Sequence, residues 1–169
     1  MRLTQWTDYS LRVLLFCAAH DGRAHPVTIT EIQQVHGISR HHLAKVVIAL
    51  ASMGYLATTR GRGGGLRLLA PAATTTLGEV VRRTETDLRL VECFDAKSNT
   101  CVLDGHCPLK FVLQDATTRF LDVLDGVTLA ELVTPGMKRA AAIPIAFLPP
   151  RSPTRSASAI ARRGVMGKR

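Results

Sequence analysis

The sequence predicts a mainly α-helical chain carrying one small β-hairpin. Three observations predict it. Hydroxyl residues that suit helix starts (Thr28, Ser39, Thr76 and Thr128) stand before apolar-periodic segments. One glycine-rich stretch, Arg60-Gly-Arg-Gly-Gly-Gly65, joins two short strand-like pieces. Pro108 opens a long segment whose apolar side runs from Leu109 to Leu124.

The first helix is expected over Thr7–His20, with Leu11, Leu14, Leu15 and Ala18 at helical spacing. His20-Asp-Gly-Arg stops it. Thr28 and Glu31 form a capping box for a second helix ending near Val35, and Gly37 permits a sharp turn. Ser39 caps a third helix, Arg40 to Met53, with Leu43, Val46, Val47, Leu50 and Met53 on one face. Strands Tyr55–Thr59 and Leu66–Leu69 flank the glycine run, because glycine supplies the positive φ that tight strand turns need. Thr76 and Glu79 mark another capping box, and the helix after it is expected to run from residue 77 to 90, with Leu88 on its apolar side. A helix from Pro108 to about Asp125 follows a cysteine-bearing loop. Its apolar stripe is wide for a lone surface helix and suits core or a dimer seam. Thr128 and Glu131 cap a last short turn. Beyond Pro135 the composition of Ala, Pro, Ser and Arg reads as disordered. The expected units are residues 1–75, 76–135 and a basic tail, 136–169.

A chain of 169 residues, 46% hydrophobic, suits one core of ordinary size. No apolar run is long enough to span a membrane. Asp8 and Arg12 interrupt the approach to LRVLLFCAA, so no secretion signal is read and a cytoplasmic location is expected. The net charge of +9 is uneven: eight Lys/Arg and no Asp/Glu lie from Met137 onward. Subtracting them from 22 leaves 14 basic against 13 acidic groups before that point. An anion-binding surface on the body must therefore be a local patch. The tail suits either a solvated segment or non-specific attraction to DNA.

The order helix, capped helix, glycine turn, capped helix, glycine-tipped hairpin is that of a winged helix-turn-helix. The recognition helix would present Ser39, Arg40, His41, His42 and Lys45 near its N-terminal end, the end that enters the major groove. The wing would present Arg60, Arg62 and Arg67 to a backbone or minor groove. Double-stranded DNA is the partner these elements suit. No Lys-Ser/Thr pair follows the glycine run, so it is not a phosphate-cradling nucleotide loop. No paired acid/base constellation accompanies the cysteines, which argues against an enzyme.

Three of the four cysteines, Cys93, Cys101 and Cys107, are spaced C-x7-C-x5-C. Zinc sites favour four ligands and short cysteine pairs. Iron–sulfur clusters also favour thiolates, but one position can pass to another residue type. Iron–sulfur, zinc and redox thiols all remain open on spacing alone. Cys17, among Leu14, Leu15 and Phe16, reads as a small buried hydrophobe.

Together, the opening MRLTQWTDYSLRVL, the segment SRHHLAKVVIALASMGYL, the wing RGRGGGL, the cysteine triad followed by PL, and FLDVLDGVTLAELV resemble the iron–sulfur winged-helix regulators. The resemblance is greatest to NsrR-type nitric-oxide-sensing repressors and covers about residues 1 to 134. It implies a homodimer on an inverted-repeat operator, with one cluster per subunit held by Cys93, Cys101 and Cys107, [4Fe-4S] in preference to [2Fe-2S]. It implies Asp8 from the partner's first helix as fourth ligand, with Arg12 and Glu85 behind it. Nitric oxide is the implied signal, and cluster nitrosylation would release the operator. In the IscR branch a histidine soon after the last cysteine is the fourth ligand; here Pro108, Leu109 and Lys110 follow instead. The first gap is also longer than the four or five residues usual in the family. An iron-status regulator and a zinc-stapled DNA-binding protein are the alternatives.

Overall fold

A computed structural model describes residues 2–141. Helix α1, Gln5–Ala19, is followed by α2, Ile29–His36, and α3, Arg40–Ser52. Strands β1, Leu56–Thr59, and β2, Gly65–Leu68, form an antiparallel hairpin in which Leu56 faces Leu68 and Thr59 faces Gly65. Helix α4, Leu77–Thr84, leads into a loop with one 3-10 turn, Glu92–Phe94. Helices α5, Pro108–Asp125, α6, Leu129–Leu132, and α7, Pro135–Ala141, complete the described residues. The fold is mainly helical with a two-stranded wing, as the sequence predicts.

One core organises these elements. Val13 and Leu14 of α1, Ile32 of α2, Leu43 and Leu50 of α3, Val80 of α4 and Leu129 of α6 are fully buried within it. Burying each such side chain stabilises the fold by about 1.5–3 kcal/mol. Helix α1 is the common support: it packs against α2, α3, β2, α4, α6 and α7. Gly37 ends α2 in the left-handed region, φ 67°, which lets α3 leave at a steep angle. The wing is also joined to the α1–α2 loop, because Val27 pairs with Leu66 through two main-chain hydrogen bonds of 2.9 and 2.7 Å.

Four expectations change. Helix α1 begins earlier than Thr7, since Thr4 caps it by accepting from the Thr7 N–H. The helix expected over 77–90 stops at Thr84. Glu85 turns extended and its carboxylate accepts from the Thr4 N–H at 2.6 Å, while Asp87 accepts from the Arg89 N–H at 2.8 Å. Such side-chain bonds to main chain compete with helix propagation. The Thr76–Glu79 capping box is half made. Thr76 accepts from the Glu79 N–H, but the Glu79 carboxylate accepts instead from the hydroxyl of buried Tyr55 at 2.8 Å. Finally, residues beyond Pro135 expected to be disordered continue α7 to Ala141, with the Thr134 hydroxyl accepting from the Met137 N–H and Ala141 resting on the core. The rest of the expected disordered tail, 142–169, lies outside the described residues.

Helix α5 lies against α4. Arg82 grips Asp125 through two bonds of 2.5 and 2.6 Å. Gly78 makes room for this grip: a β-carbon there would stand 1.9 Å from Asp125 Oδ1. In Gly78→Ala the carboxylate must therefore swing away. The lost pair is exposed, so its loss weakens the fold little, and alanine's better helix propensity than glycine's offsets it. Overall stability should stay nearly unchanged, while amides from Val123 to Gly126 exchange faster with solvent. Hydrogen exchange read residue by residue checks this.

Candidate metal centre and nucleic-acid interface

Ser39 starts α3 by accepting from the His42 N–H at 3.3 Å, so its hydroxyl serves as a cap. Arg40, His41, His42 and Lys45 are all exposed beyond it, while Leu43, Val46, Val47 and Leu50 are buried. Arg60 and Arg62 are exposed at the wing tip, where Gly61 and Gly63 have positive φ. Between α3, the start of α2 and the hairpin runs an open groove of about 430 Å³. Arg40, Arg60, the threonines 28, 30, 58 and 59, and exposed Ile48 line it, with no acidic residue among the described residues. Cations, hydroxyls and helix starts are the groups that contact a phosphate backbone.

Arg67 is differently placed. Its guanidinium donates to the carbonyl oxygens of Arg23 and Ala24 at 3.0 and 2.6 Å, tying β2 to the α1–α2 loop. Arg23 in turn meets Glu31 at 2.9 Å, and Glu31 completes the cap of α2 by accepting from the Thr28 N–H and hydroxyl. Burial raises the Glu31 carboxyl, but Arg23 and Thr28 together outweigh it and hold the group below the usual glutamate range. A carboxyl depressed in the native state stabilises above its unfolded pKa, and that contribution fades as pH falls through the native value. Glu31→Gln should therefore cost about 1 kcal/mol near neutral pH, and the gap from wild type should close as the pH falls below the ordinary glutamate range. Urea melts across that range read the difference.

The three clustered cysteines come from three kinds of element. Cys93 lies in the 3-10 turn, Cys101 in the loop, and Cys107 at the N-cap of α5, where Pro108 takes the first helical position. All three line one pocket of about 430 Å³, walled by Val91, Leu103, Leu109 and Leu113 and flanked by Glu92 and Lys110. Glu92 closes the first cysteine loop, accepting from the Thr100 N–H and hydroxyl, each at 2.8 Å. Those two bonds hold its carboxyl below the usual range.

No three His, Cys, Asp or Glu side chains among the described residues converge tightly enough to hold a single metal ion. A lone zinc needs its donors about 2.0–2.3 Å from one point. An iron–sulfur cluster spreads its thiolates over several iron atoms. Three unpaired thiols around one mostly apolar pocket fit that second arrangement. His106 does not line the pocket.

Asp8, Arg12 and Glu85 do not line it either. Asp8 and Arg12 pair along α1 at 2.8 Å, and Glu85 is spent on Thr4. His36 of α2 stands in the field of this pair, with its Nε2 buried and unpartnered. Burial, and secondarily Arg12, lowers its pKa. Cys17 lies in the core, where burial pushes its thiol up to about 12. Sequence reasoning missed Lys110, Asn99 and Asp104 as neighbours of the cysteines, because no periodic spacing relates them.

The family model Rrf2, described as iron-dependent transcriptional regulators, matches residues 3–135. The chain belongs to the Rrf2 family. Within it, the HTH-type transcriptional regulators NsrR of Bacillus subtilis and Geobacillus kaustophilus are each 49% identical to this Rrf2 chain over 133 residues, 79% of this chain and 90% of theirs. Among solved structures, CymR, the global cysteine regulator of B. subtilis, superposes with a TM-score of 0.65 at 26% identity, covering 79% of this chain and 96% of CymR. T. potens IscR shares the fold, with a TM-score of 0.63 at 22% identity over 79% of this chain and 86% of that one. This Rrf2 protein is thus a DNA-binding transcriptional regulator and not an enzyme. No helix among its described residues is long and apolar enough to cross a membrane.

Proposed function

We propose that this Rrf2 protein is a cytoplasmic, homodimeric repressor that answers to nitric oxide through an iron–sulfur cluster, [4Fe-4S] in preference to [2Fe-2S]. The observation that carries the reading is the convergence of Cys93, Cys101 and Cys107 on one pocket. When bound, the cluster would supply iron that nitric oxide can attack, most readily where a carboxylate rather than a thiolate would hold it. The four residues that would ligate it are these cysteines and Asp8 of the partner subunit. Arg12, paired with Asp8 on the same helix, orients that carboxylate, and Glu85 steadies the start of α1 through Thr4.

Residues 76–135 would join the subunits. Helix α5 has no buried residue, and Leu109, Phe111, Val112 and Val123 are each about 60% exposed or more. An apolar helix of this kind suits a second copy of itself. Residues 1–75 would then read half-sites of an inverted repeat about one helical turn apart. Ser39, Arg40, His41, His42 and Lys45 would face the major groove, and Arg60 and Arg62 the flanking backbone. Arg67, bound to main chain, would set the wing's angle and touch DNA at most secondarily. With the pocket intact, its loop and the partner's α1 fix the spacing of the two α3 helices. Loss of that anchor lets the spacing drift and the operator goes free.

The test uses protein purified without oxygen and inverted-repeat DNA selected from random sequence. Iron and sulfide in the protein, visible absorbance that bleaches with nitric oxide, and DNA release over the same titration are expected. DNA binding that ignores nitric oxide in an iron-loaded protein would favour an iron-status regulator. A colourless zinc protein would remove the cluster altogether.

A further inference from the structure

Among the described residues lining the three-cysteine pocket there is one base, Lys110 of α5. Its side chain is 23% exposed, against 75% for Arg119 further along the same helix, so it lies against the protein rather than in solvent. Its Nζ donates to Asp104 Oδ1 at 2.5 Å. Asp104 Oδ2 accepts from Asn99 Nδ2 at 2.5 Å, and Asn99 Oδ1 accepts from the Cys101 N–H at 3.0 Å. These bonds run unbroken from α5 to the main chain of Cys101 and cross both inter-cysteine loops. Lys110 thus shares the pocket wall with the three cysteines, while Asp104, which holds its ammonium, lies outside that wall. The ammonium interacts first with Asp104 and then with Cys93 and Cys101. Glu92, the one acid in the wall, is occupied by Thr100.

We propose that Lys110 is a positioning residue of this pocket. Clasped by Asp104 and Asn99, its ammonium offsets the negative charge that Cys93 and Cys101 bring to an iron–sulfur cluster, and so retards loss of that cluster. The inference rests on the cluster reading above. Its physical basis is simple. Thiolates gathered on one site repel one another, and a fixed cation beside them lowers that cost. The Asn99 link also holds the exposed Cys101 in place before anything binds.

The full chain is reconstituted without oxygen from ferrous iron and sulfide as wild type, Lys110→Met, Lys110→Arg and Asp104→Asn. Iron and sulfide per chain are measured first, and the absorbance is then followed under excess EDTA. Lys110→Met should bleach about tenfold faster than wild type. Lys110→Arg should stay within about twofold, because it keeps the charge. Asp104→Asn should fall between them. Unchanged thermal midpoints of the metal-free proteins exclude a folding defect. Equal bleaching of wild type and Lys110→Met, or Lys110→Arg as fast as Lys110→Met, overturns the inference while leaving the cluster. A wild-type chain that takes up no iron or sulfide overturns the cluster reading itself, and the inference with it.

Discussion

A Cys107→Ser chain, purified without oxygen, is expected to carry little or no iron and sulfide, and to lose operator binding with them. Cys107 is the N-cap of α5 but makes no side-chain capping bond. Serine is among the best N-cap residues, so the substitution leaves the helix as stable or makes it stabler, by up to about 1 kcal/mol. The metal-free variant should thus melt at or above the wild-type temperature. That separates loss of a ligand from loss of fold, which substitution in an apolar core cannot do. Iron and sulfide analysis, a thermal melt and a DNA-binding titration together read the outcome. Full iron content in the variant would remove Cys107 from the ligand set. An iron-free variant that still binds the operator as tightly as wild type would mean that the cluster does not gate repression.

Leu43→Ala should produce the largest loss of stability, about 2–5 kcal/mol. Leu43 is fully buried on the inner face of α3, three residues from Arg40 and two from Lys45. Its removal leaves a cavity between α3 and the core at the point where the proposed DNA-reading residues are mounted. A domain stable by 5–15 kcal/mol then loses a large part of its margin. The urea midpoint should drop with little change in slope. Leu43→Met, which nearly conserves volume, should cost less than about 1.5 kcal/mol and keep DNA binding. If Leu43→Ala melts like wild type, α3 is not anchored as described.

The elements that the sequence announces well are those with local causes. The Thr28–Glu31 and Thr128–Glu131 boxes, the left-handed Gly37 and the proline opening α5 each act within a few residues, and each is found. The misreadings have distant causes. Helix α4 stops at Thr84 because Glu85 caps the far end of the chain at Thr4, 81 residues away. Glu79 leaves its expected capping partner because Tyr55 needs a buried acceptor. Arg67 is exposed on the wing as expected, but its tie to main-chain carbonyls 43 and 44 residues away has no local signal. The cysteines were legible as a triad, but their shared pocket and the Lys110–Asp104–Asn99 clasp exist only once the loop has folded back on α5.

The position of α1 has a consequence for anyone who would rewire this regulator. A natural place to splice two such proteins is just after the hairpin, exchanging everything before it. Yet α1 packs against α4, α6 and α7 as well as against α2, α3 and β2. A splice there would set one parent's α1 on the other parent's α4, α6 and α7, with a mismatched seam through the middle of the core. Exchanging only the inner segment from Val27 to Leu68, whose ends lie together through the Val27–Leu66 bridge, moves that seam rather than removing it, because α1 packs as closely against α2, α3 and β2. The first helix is the keystone of both halves, and any exchange has to be matched to it.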